Sequence, residues 1–216
     1  MKLFIDTADL EEIKKYADLG IIDGVTTNPS LFAKEKISFK EGAEKICKLV
    51  NGPVSLEVVA TDFDGMIKEG IQLSRVHKNV VVKLPCTQAG IKATKALAGK
   101  GIKVNLTLVF SSAQALLAAK AGAAFVSPFV GRLDDTAQNG MDLIRDIRTI
   151  YDNYSFKTEI LVASVRHPVH VVESALIGAD AATCPPKILE LLFNHPKTDE
   201  GLRNFLEDWK KSKKSL

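Results

Sequence analysis

The stretch Val80-Val81-Val82-Lys83-Leu84-Pro85 is an apolar run of strand type that ends at a proline. A strand that is apolar on both faces is typical of a parallel sheet covered on both sides. An unpaired ammonium is unfavourable in such surroundings, so the Lys83 amine tends to lose its proton. Because a neutral amine is a nucleophile toward carbonyls, Lys83 indicates Schiff-base chemistry on a keto or aldehyde substrate. The alternative is a strand-end lysine whose ammonium reaches water.

Short apolar runs and longer amphipathic patterns alternate on both sides of this stretch. The predicted strands are Leu3–Asp6, Gly24–Thr27, Val54–Val59, Val80–Leu84, Lys103–Val109, Ala124–Pro128, Glu159–Ala163 and Ala181–Thr183. The predicted helices are Asp9–Leu19, Phe39–Val50, Phe63–His77, Ala89–Lys100, Ser112–Ala121, Asn139–Tyr151, Pro168–Ile177 and Pro186–Phe193.

Eight strand–helix units in 216 residues favour a (β/α)₈ barrel that forms one domain over residues 1–216. A doubly wound sheet is the alternative, but it predicts a Gly-rich first turn that the sequence lacks. A further helix is predicted at about 197–212. Its apolar residues can either pack on the same barrel or dock onto a neighbouring subunit.

Charge and hydropathy exclude several classes of partner. The net charge is only +3, and the basic C-terminal residues Lys210, Lys211, Lys213 and Lys214 have no interleaved aromatic residues. This pattern predicts a solvated chain end and no nucleic-acid binding. No apolar run approaches the length of a membrane span, so no membrane partner is expected.

The cysteines and histidines give no sign of a metal or disulfide framework. Cys47, Cys86 and Cys184 lack CxxC spacing, which favours reduced thiols and a cytoplasmic location. His167 and His170 lie three apart at a predicted helix start without a third ligand of zinc spacing. We expect them to cap or pack the helix.

Polar residues recur where the predicted strands end, and in a barrel of this type chemistry gathers at those ends. They are Asp6, Thr26, Asn28, Glu57, Lys83, Asn105, Thr107, Ser127, Arg132, Ser164 and Arg166. A structural ion pair between Glu57 and Lys83 is one alternative, but it does not account for the rest. A Schiff-base enzyme needs an amine, a separate acid/base and groups that hold water, which Lys83, Asp6 and the pair Glu57 and Thr107 would supply.

Two arginines follow the sixth and seventh predicted strands. Arg132 and Arg166, with Ser127 and Ser164 near them in sequence, carry guanidinium and hydroxyl groups suited to phosphate oxygens. Each arginine alone is better explained by a surface ion pair. Together, on adjacent loops, they favour a phosphate site.

With these residues assembled, the chain resembles the transaldolase family, in its short subfamily that also holds the fructose-6-phosphate aldolases. The matching stretches run in order along most of the chain: Phe4-Ile5-Asp6-Thr7-Ala8, Gly24-Val25-Thr26-Thr27-Asn28-Pro29-Ser30-Leu31, Val82-Lys83-Leu84-Pro85, Asn105-Leu106-Thr107-Leu108-Val109-Phe110-Ser111 and Ser127-Pro128-Phe129-Val130-Gly131-Arg132.

The resemblance implies a class I enzyme without metal or cofactor that moves a dihydroxyacetone unit between sugar phosphates. It implies that Lys83 forms the Schiff base and Asp6 is the acid/base. The other implied roles are water binding by Glu57 and Thr107, donation to substrate hydroxyls by Asn28 and Asn105, support by Thr26, and phosphate binding by Ser127, Arg132, Ser164 and Arg166.

Two positions separate the activities within the family that the chain resembles. The aldolases carry Gln where Glu57 stands and Tyr where Phe129 stands, so the resemblance implies transfer for this chain. A phenylalanine cannot donate a proton to the bound carbanion. The resemblance also implies a homo-oligomer, a pentamer or decamer. Fructose-6-phosphate aldolase and a non-catalytic phosphosugar-binding barrel are the alternative functions.

Overall fold

Eight parallel strands close into a barrel in sequence order, with β1 paired to both β2 and β8. The structure is a computed structural model that describes residues 1–212; Lys213 and Lys214 of the basic C-terminal run lie outside the described residues. The strands are β1 Lys2–Asp6, β2 Gly24–Thr26, β3 Val54–Glu57, β4 Val80–Pro85, β5 Val104–Val109, β6 Phe125–Pro128, β7 Glu159–Val162 and β8 Ala181–Cys184. The predicted (β/α)₈ barrel is confirmed.

Helices connect the strands around the outside of the barrel. They are α1 Leu10–Asp18, α2 Pro29–Phe32, α3 Phe39–Leu49, α4 Phe63–Ser74, α5 Gln88–Ala98, α6 Ser112–Ala121, α7 Val130–Asp134, α8 Gly140–Asn153, α9 Pro168–Ile177, α10 Pro186–Leu191 and α11 Pro196–Ser212. The sequence pattern does not predict the short helices α2 and α7, because four and five residues are too few to show a helical period. None of the helices within residues 1–212 is long and apolar enough to cross a membrane.

Local side-chain caps fix where several helices begin. Asp9, Asp62, Thr87 and Ser111 accept backbone N–H groups in the first turns of α1, α4, α5 and α6. These caps follow directly on strand ends or short loops, so they also fix how each strand turns outward. The third strand is shorter than predicted, since the exposed Val59 donates its N–H to Glu69 rather than to a neighbouring strand.

The barrel interior is closed by a small apolar cluster that is separate from the main core between sheet and helices. We call it the plug, and it consists of Phe4, Val81, Phe125, Leu161 and Ala181. The rings of Phe4 and Phe125 meet edge to face, with centroids 6.1 Å apart. Gly24 makes room for Phe4, because a Cβ at that position would lie 2.7 Å from the ring.

Each plug residue fixes the direction of the side chain two positions later, because successive side chains on a strand alternate between faces. Those later residues therefore also point into the barrel, one layer nearer to its C-terminal end. We call them the mouth layer, and they are Asp6, Lys83, Ser127, Ala163 and Thr183. The strand period thus places a polar layer directly above an apolar one.

The final helix, α11, buries none of its side chains in this protomer. Its apolar residues Leu202, Phe205, Leu206 and Trp209 are between 43% and 75% exposed. Of the two alternatives from the sequence, packing of this face on its own barrel is therefore excluded within the single chain.

Candidate active site

A cavity of about 240 Å³ opens at the C-terminal ends of the strands, above the mouth layer. Ten of the residues predicted for the site line it: Asp6, Thr26, Asn28, Lys83, Thr107, Ser127, Phe129, Arg132, Ser164 and Arg166. The structure adds Ala163, Val165, Thr183 and Pro185, which the sequence analysis missed. Glu57 and Asn105 are not among the residues that line the cavity.

Lys83 lies at the floor of the cavity and is only 5% exposed. Its Nζ is 3.0 Å from Glu57 Oε2 and donates to the backbone carbonyl of Thr27, also at 3.0 Å. Burial alone predicts a neutral amine, but the structure shows the contact between Lys83 and Glu57 that the sequence analysis gave as an alternative. The aligned register of β3 and β4, which pairs Glu57 with Lys83, creates it.

Glu57 does not line the cavity, but its carboxylate contacts the Lys83 amine at the cavity floor. Its side chain is 15% exposed and faces a neighbouring depression formed with Phe39, Val58 and Leu73. The carboxylate can therefore accept a proton from the lysine without occupying the space above it.

Asp6 shares the floor with Lys83 and belongs to a chain of hydroxyl groups. Burial in the barrel mouth raises the pKa of Asp6, although the Thr26 hydrogen bond and the Lys83 charge oppose this. Thr26 Oγ1 donates to Asp6 Oδ1 at 2.6 Å, and it lies 2.6 Å from Thr183 Oγ1. Because Thr26 gives its proton to Asp6, Thr183 is the donor to Thr26. The signal for Thr183 was present in the sequence, as a polar residue ending the eighth predicted strand.

Asn105 and Ser127 form a buried hydrogen-bonded pair below the cavity surface. Ser127 Oγ donates to Asn105 Oδ1 at 2.7 Å, and Asn105 Nδ2 donates to Ser55 Oγ at 3.1 Å. Asn105 is fully buried and Ser127 is 2% exposed. In this state the Asn105 amide donates to Ser55 and not into the cavity, and Ser127 belongs to the floor.

Among the buried side-chain polar atoms of the described residues that line the cavity, the Thr107 hydroxyl is the one left unsatisfied. It is buried and has no hydrogen-bond partner among residues 1–212. The next residue, Leu108, has a positive φ of 58°, and the register between β5 and β6 shifts at this point. Such irregularities re-aim side chains next to functional sites, and here they lie directly beside the unsatisfied Thr107 hydroxyl.

Two guanidinium groups occupy the far wall of the cavity. Arg132 on α7 lies over the Phe129 ring, 5.1 Å from its centroid. Arg166, after β7, pairs through Nη2 with Asp135 Oδ2 at 2.8 Å, and both side chains are more than half exposed. Between β7 and Arg166, Ser164 has a positive φ of 58°. The predicted pair of arginines is thus brought to one wall.

Comparison with known proteins identifies the family of the chain. The family model for transaldolase/fructose-6-phosphate aldolase matches residues 3–216. The chain belongs to this family. Probable transaldolases of Geotalea uraniireducens and Aquifex aeolicus are 60% and 61% identical to it, over 98% of this chain and 99% and 97% of theirs. That of Nitrosopumilus maritimus is 60% identical over 99% of this chain and 96% of its own.

More distant solved structures share the fold alone. A thiamine phosphate pyrophosphorylase from Pyrococcus furiosus superposes with a TM-score of 0.59 at 16% identity, covering 85% of each chain. A mandelate oxidase mutant gives 0.58 at 14% identity, covering 86% of this chain and 64% of the other. At such identities a shared fold says nothing about shared chemistry, which depends on the residues of the site.

Beside the arginine wall lies a cluster of Asp134, His167 and His170, whose potential ligand atoms all lie within 4.8 Å of one another. The sequence analysis missed Asp134 because it lies on α7, whereas the histidines begin α9. His170 is buried, as its predicted packing role requires. Among the described residues, His167 makes no side-chain cap for α9, so the capping alternative is wrong for it.

Proposed function

We propose that the chain is a transaldolase that works through a Schiff base on Lys83. It moves a dihydroxyacetone unit from sedoheptulose 7-phosphate or fructose 6-phosphate to glyceraldehyde 3-phosphate or erythrose 4-phosphate, as in the pentose phosphate pathway. The observation that carries the proposal is the buried Lys83 amine at the floor of a polar cavity that also holds Asp6. The relatives described as probable transaldolases support it.

The first half of the reaction forms the covalent intermediate. Glu57, in contact with Nζ, accepts a proton from Lys83, and the neutral amine attacks the C2 carbonyl of the ketose. The carbinolamine loses water to give an imine. The unsatisfied hydroxyl of Thr107 holds this water together with Glu57, and the same water returns for hydrolysis.

The second half breaks and remakes a carbon–carbon bond. The Asp6 carboxylate takes the proton of the C4 hydroxyl, the C3–C4 bond breaks, and the aldose leaves while the electron pair remains on the lysine-bound enamine. The enamine then attacks the aldehyde carbon of the acceptor, and Asp6 returns the proton to the new hydroxyl. Thr26 holds Asp6 in place throughout.

Substrate orientation comes from the cavity walls. Asn28 accepts the Leu31 N–H through Oδ1, which leaves its amide NH₂ to donate to a substrate hydroxyl. Arg132 and Arg166 bind the phosphate, and the strained Ser164 faces the same end. Asn105 acts through Ser127 by fixing its hydroxyl in the floor.

The alternative activity is fructose-6-phosphate aldolase, which releases free dihydroxyacetone. Phe129 offers no hydroxyl, and its ring packs edge to face on Phe110 with centroids 5.7 Å apart. The enamine therefore lacks a phenolic proton donor at position 129 and survives until an acceptor arrives. We expect Phe129→Tyr to raise dihydroxyacetone release relative to transfer. An unchanged product ratio would assign the partition to another residue.

The deciding experiment is a split assay on purified protein with fructose 6-phosphate, with and without erythrose 4-phosphate. Glyceraldehyde 3-phosphate formed catalytically only with the acceptor establishes transfer. Free dihydroxyacetone without the acceptor establishes aldolase instead.

A borohydride experiment separates either enzyme from a non-catalytic phosphosugar-binding barrel. Reduction in the presence of fructose 6-phosphate traps a covalent adduct when an imine forms. Mass spectrometry of the digested protein should place the adduct on Lys83. Binding of the sugar without an adduct would support the non-catalytic barrel.

The last helix and the cysteines support a state of assembly and a location for the enzyme. The exposed apolar residues of α11 support a homo-oligomer in which this helix meets a neighbouring subunit. Its size, a pentamer or decamer, is taken from the family resemblance alone. Light scattering that gives a monomer mass at micromolar concentration would refute the homo-oligomer. The three free cysteines support a reducing, cytoplasmic location.

A further inference from the structure

The cluster of Asp134, His167 and His170 is the strongest group of ionisable side chains that the proposed mechanism does not use. Its first interpretation is a metal site, since two imidazoles and a carboxylate converge. The hydrogen bonds of His170 argue against that interpretation. They point instead to the arginine wall of the cavity.

Both ring nitrogens of His170 are engaged by protein groups. Nδ1 accepts the backbone N–H of Arg166 at 3.3 Å, and Nε2 lies 2.8 Å from Asp134 Oδ2. Because Nδ1 accepts a hydrogen bond, the single proton of the neutral ring sits on Nε2, and this N–H donates a hydrogen bond to Asp134. Nε2 then has no lone pair to offer a metal ion.

The electrostatics keep the ring in this neutral form. Burial lowers the pKa of His170, and the neighbouring His167 lowers it further, while Asp134 and Glu173 act in the opposite direction. Asp134 is itself held in place, since its Oδ1 accepts the N–H of Gly140 at 2.8 Å. The tautomer is therefore set by a carboxylate with a fixed position.

This link joins the two segments that carry the arginines. Asp134 ends α7, which contains Arg132, while His170 holds the backbone of Arg166 after β7. The segments also touch at Gly131, whose N–H donates to Ser164 O at 3.1 Å. A Cβ there would lie 2.2 Å from that oxygen, so the two backbones approach too closely for any residue other than glycine. The backbone of Ser164, which has a positive φ, is held by the Gly131 contact and by the contact between the Arg166 N–H and His170.

We propose that Asp134 and His170 are positioning residues that hold the Arg166 backbone in place opposite Arg132, Asp134 by fixing the tautomer of His170 and His170 by accepting the Arg166 N–H. They thereby set the affinity of the cavity for a phosphate-bearing sugar. This rests on the phosphate-binding role assigned to the two arginines under the proposed function. Neither residue touches the reacting atoms. Their substitution changes KM for phosphorylated substrates and spares kcat.

The tautomer gives a sharp test through Asp134→Asn. The amide introduced at position 134 donates to Nε2, which moves the ring proton to Nδ1, where it opposes the Arg166 N–H. KM for fructose 6-phosphate should then rise about tenfold, the equivalent of one hydrogen bond, with kcat within about twofold of wild type. His170→Gln, whose amide extends toward Asp134 and leaves the Arg166 N–H without an acceptor, should show the same pattern.

The double variant Asp134→Asn/His170→Asn separates positioning from simple damage. The amide oxygen introduced at position 170 takes the place of Nδ1 and accepts the Arg166 N–H whatever stands at position 134. KM should therefore return toward the wild-type value, although a second residue has been changed. A double variant worse than Asp134→Asn alone would overturn the proposal.

Titration of each protein with inorganic phosphate keeps this inference distinct from the proposed function. If wild type binds phosphate but transfers no dihydroxyacetone unit, the proposed function fails, and the phosphate Kd of the three variants still tests positioning by the same rise and recovery. If wild type transfers but Asp134→Asn leaves KM and Kd unchanged, positioning fails and the function stands. Wild type that binds no phosphate overturns the inference.

Discussion

The plug and the mouth layer come from the same strands of the barrel, with each mouth residue two positions after a plug residue. The plug is apolar, whereas the mouth layer carries charged and polar side chains. The plug packs apolar side chains with no polar partner to satisfy, as in Phe4 against Phe125. The mouth layer holds a carboxylate whose pKa is raised by burial and an ammonium that needs Glu57. The plug stabilises the fold, whereas the mouth layer costs stability and supplies the reacting groups. Substitutions in the mouth layer should therefore lower mainly the transfer activity, and substitutions in the plug should lower mainly the free energy of unfolding.

The largest effect is expected from Lys83→Ala in the mouth layer. Transfer and the borohydride adduct should both be lost, because no other amine of the described chain lies at the floor of the cavity. The change leaves Glu57 without its partner, but because that carboxylate is 15% exposed, the loss of stability should stay below the ~3–5 kcal/mol of a fully buried pair. Lys83→Met/Glu57→Gln removes both charges and serves as the control that stays folded. Transfer by either variant would refute the Schiff-base assignment.

Asp6→Asn is the next largest change. Loss of a positioned acid/base should lower kcat about 10²–10⁴-fold, while the imine still forms and is trapped by borohydride. In the wild type, transfer should fall with decreasing pH at a value above the ordinary carboxylate range of about 4, because burial raises the pKa of Asp6. A pH–rate profile with its acid limb near that ordinary value would contradict the assignment.

The same raised pKa has a consequence for stability. A group that holds its proton more tightly in the folded protein stabilises the fold at pH values below its unfolded pKa, and this contribution is lost as the pH rises through the folded pKa. Asp6→Asn should therefore have a free energy of unfolding at least as large as that of wild type at neutral pH. The difference between the two proteins should be smaller in acid, where Asp6 of the wild type is protonated. Thermal unfolding at two pH values measures this difference.

Phe4→Ala in the plug should lower the stability of the fold and leave most of the transfer activity. Removing a buried aromatic ring costs about 3–5 kcal/mol of unfolding free energy, whereas the chemistry one layer above should keep most of its kcat. Denaturant unfolding at a fixed protein concentration measures the first effect, because association would otherwise shift the midpoint. A variant that keeps its stability but loses transfer would show that the plug positions the mouth layer directly.

The sequence was sufficient for the barrel and for most residues of the mouth layer, because both follow from short local patterns. Apolar runs indicated the strands, and polar residues at their ends indicated Asp6 and Lys83. What could not be predicted depends on neighbours distant in sequence. Whether Glu57 enters the cavity is set by the β3–β4 register, and the contact of Asp134 with His170 joins two separate loops.

The two carboxylates at the end of α7 offer the smallest and most specific contrast. Asp134 orders the Arg166 backbone through His170, whereas Asp135 pairs with the Arg166 guanidinium and competes with a phosphate for it. Asp135→Asn should therefore lower KM for fructose 6-phosphate by about two- to threefold, as expected of an exposed ion pair. Asp208→Asn on α11 makes the same charge change at a distance and should leave KM unaltered. A rise in KM for Asp135→Asn would mean that Asp135 aligns Arg166 for the phosphate, and the two adjacent acids would then act together rather than in opposition.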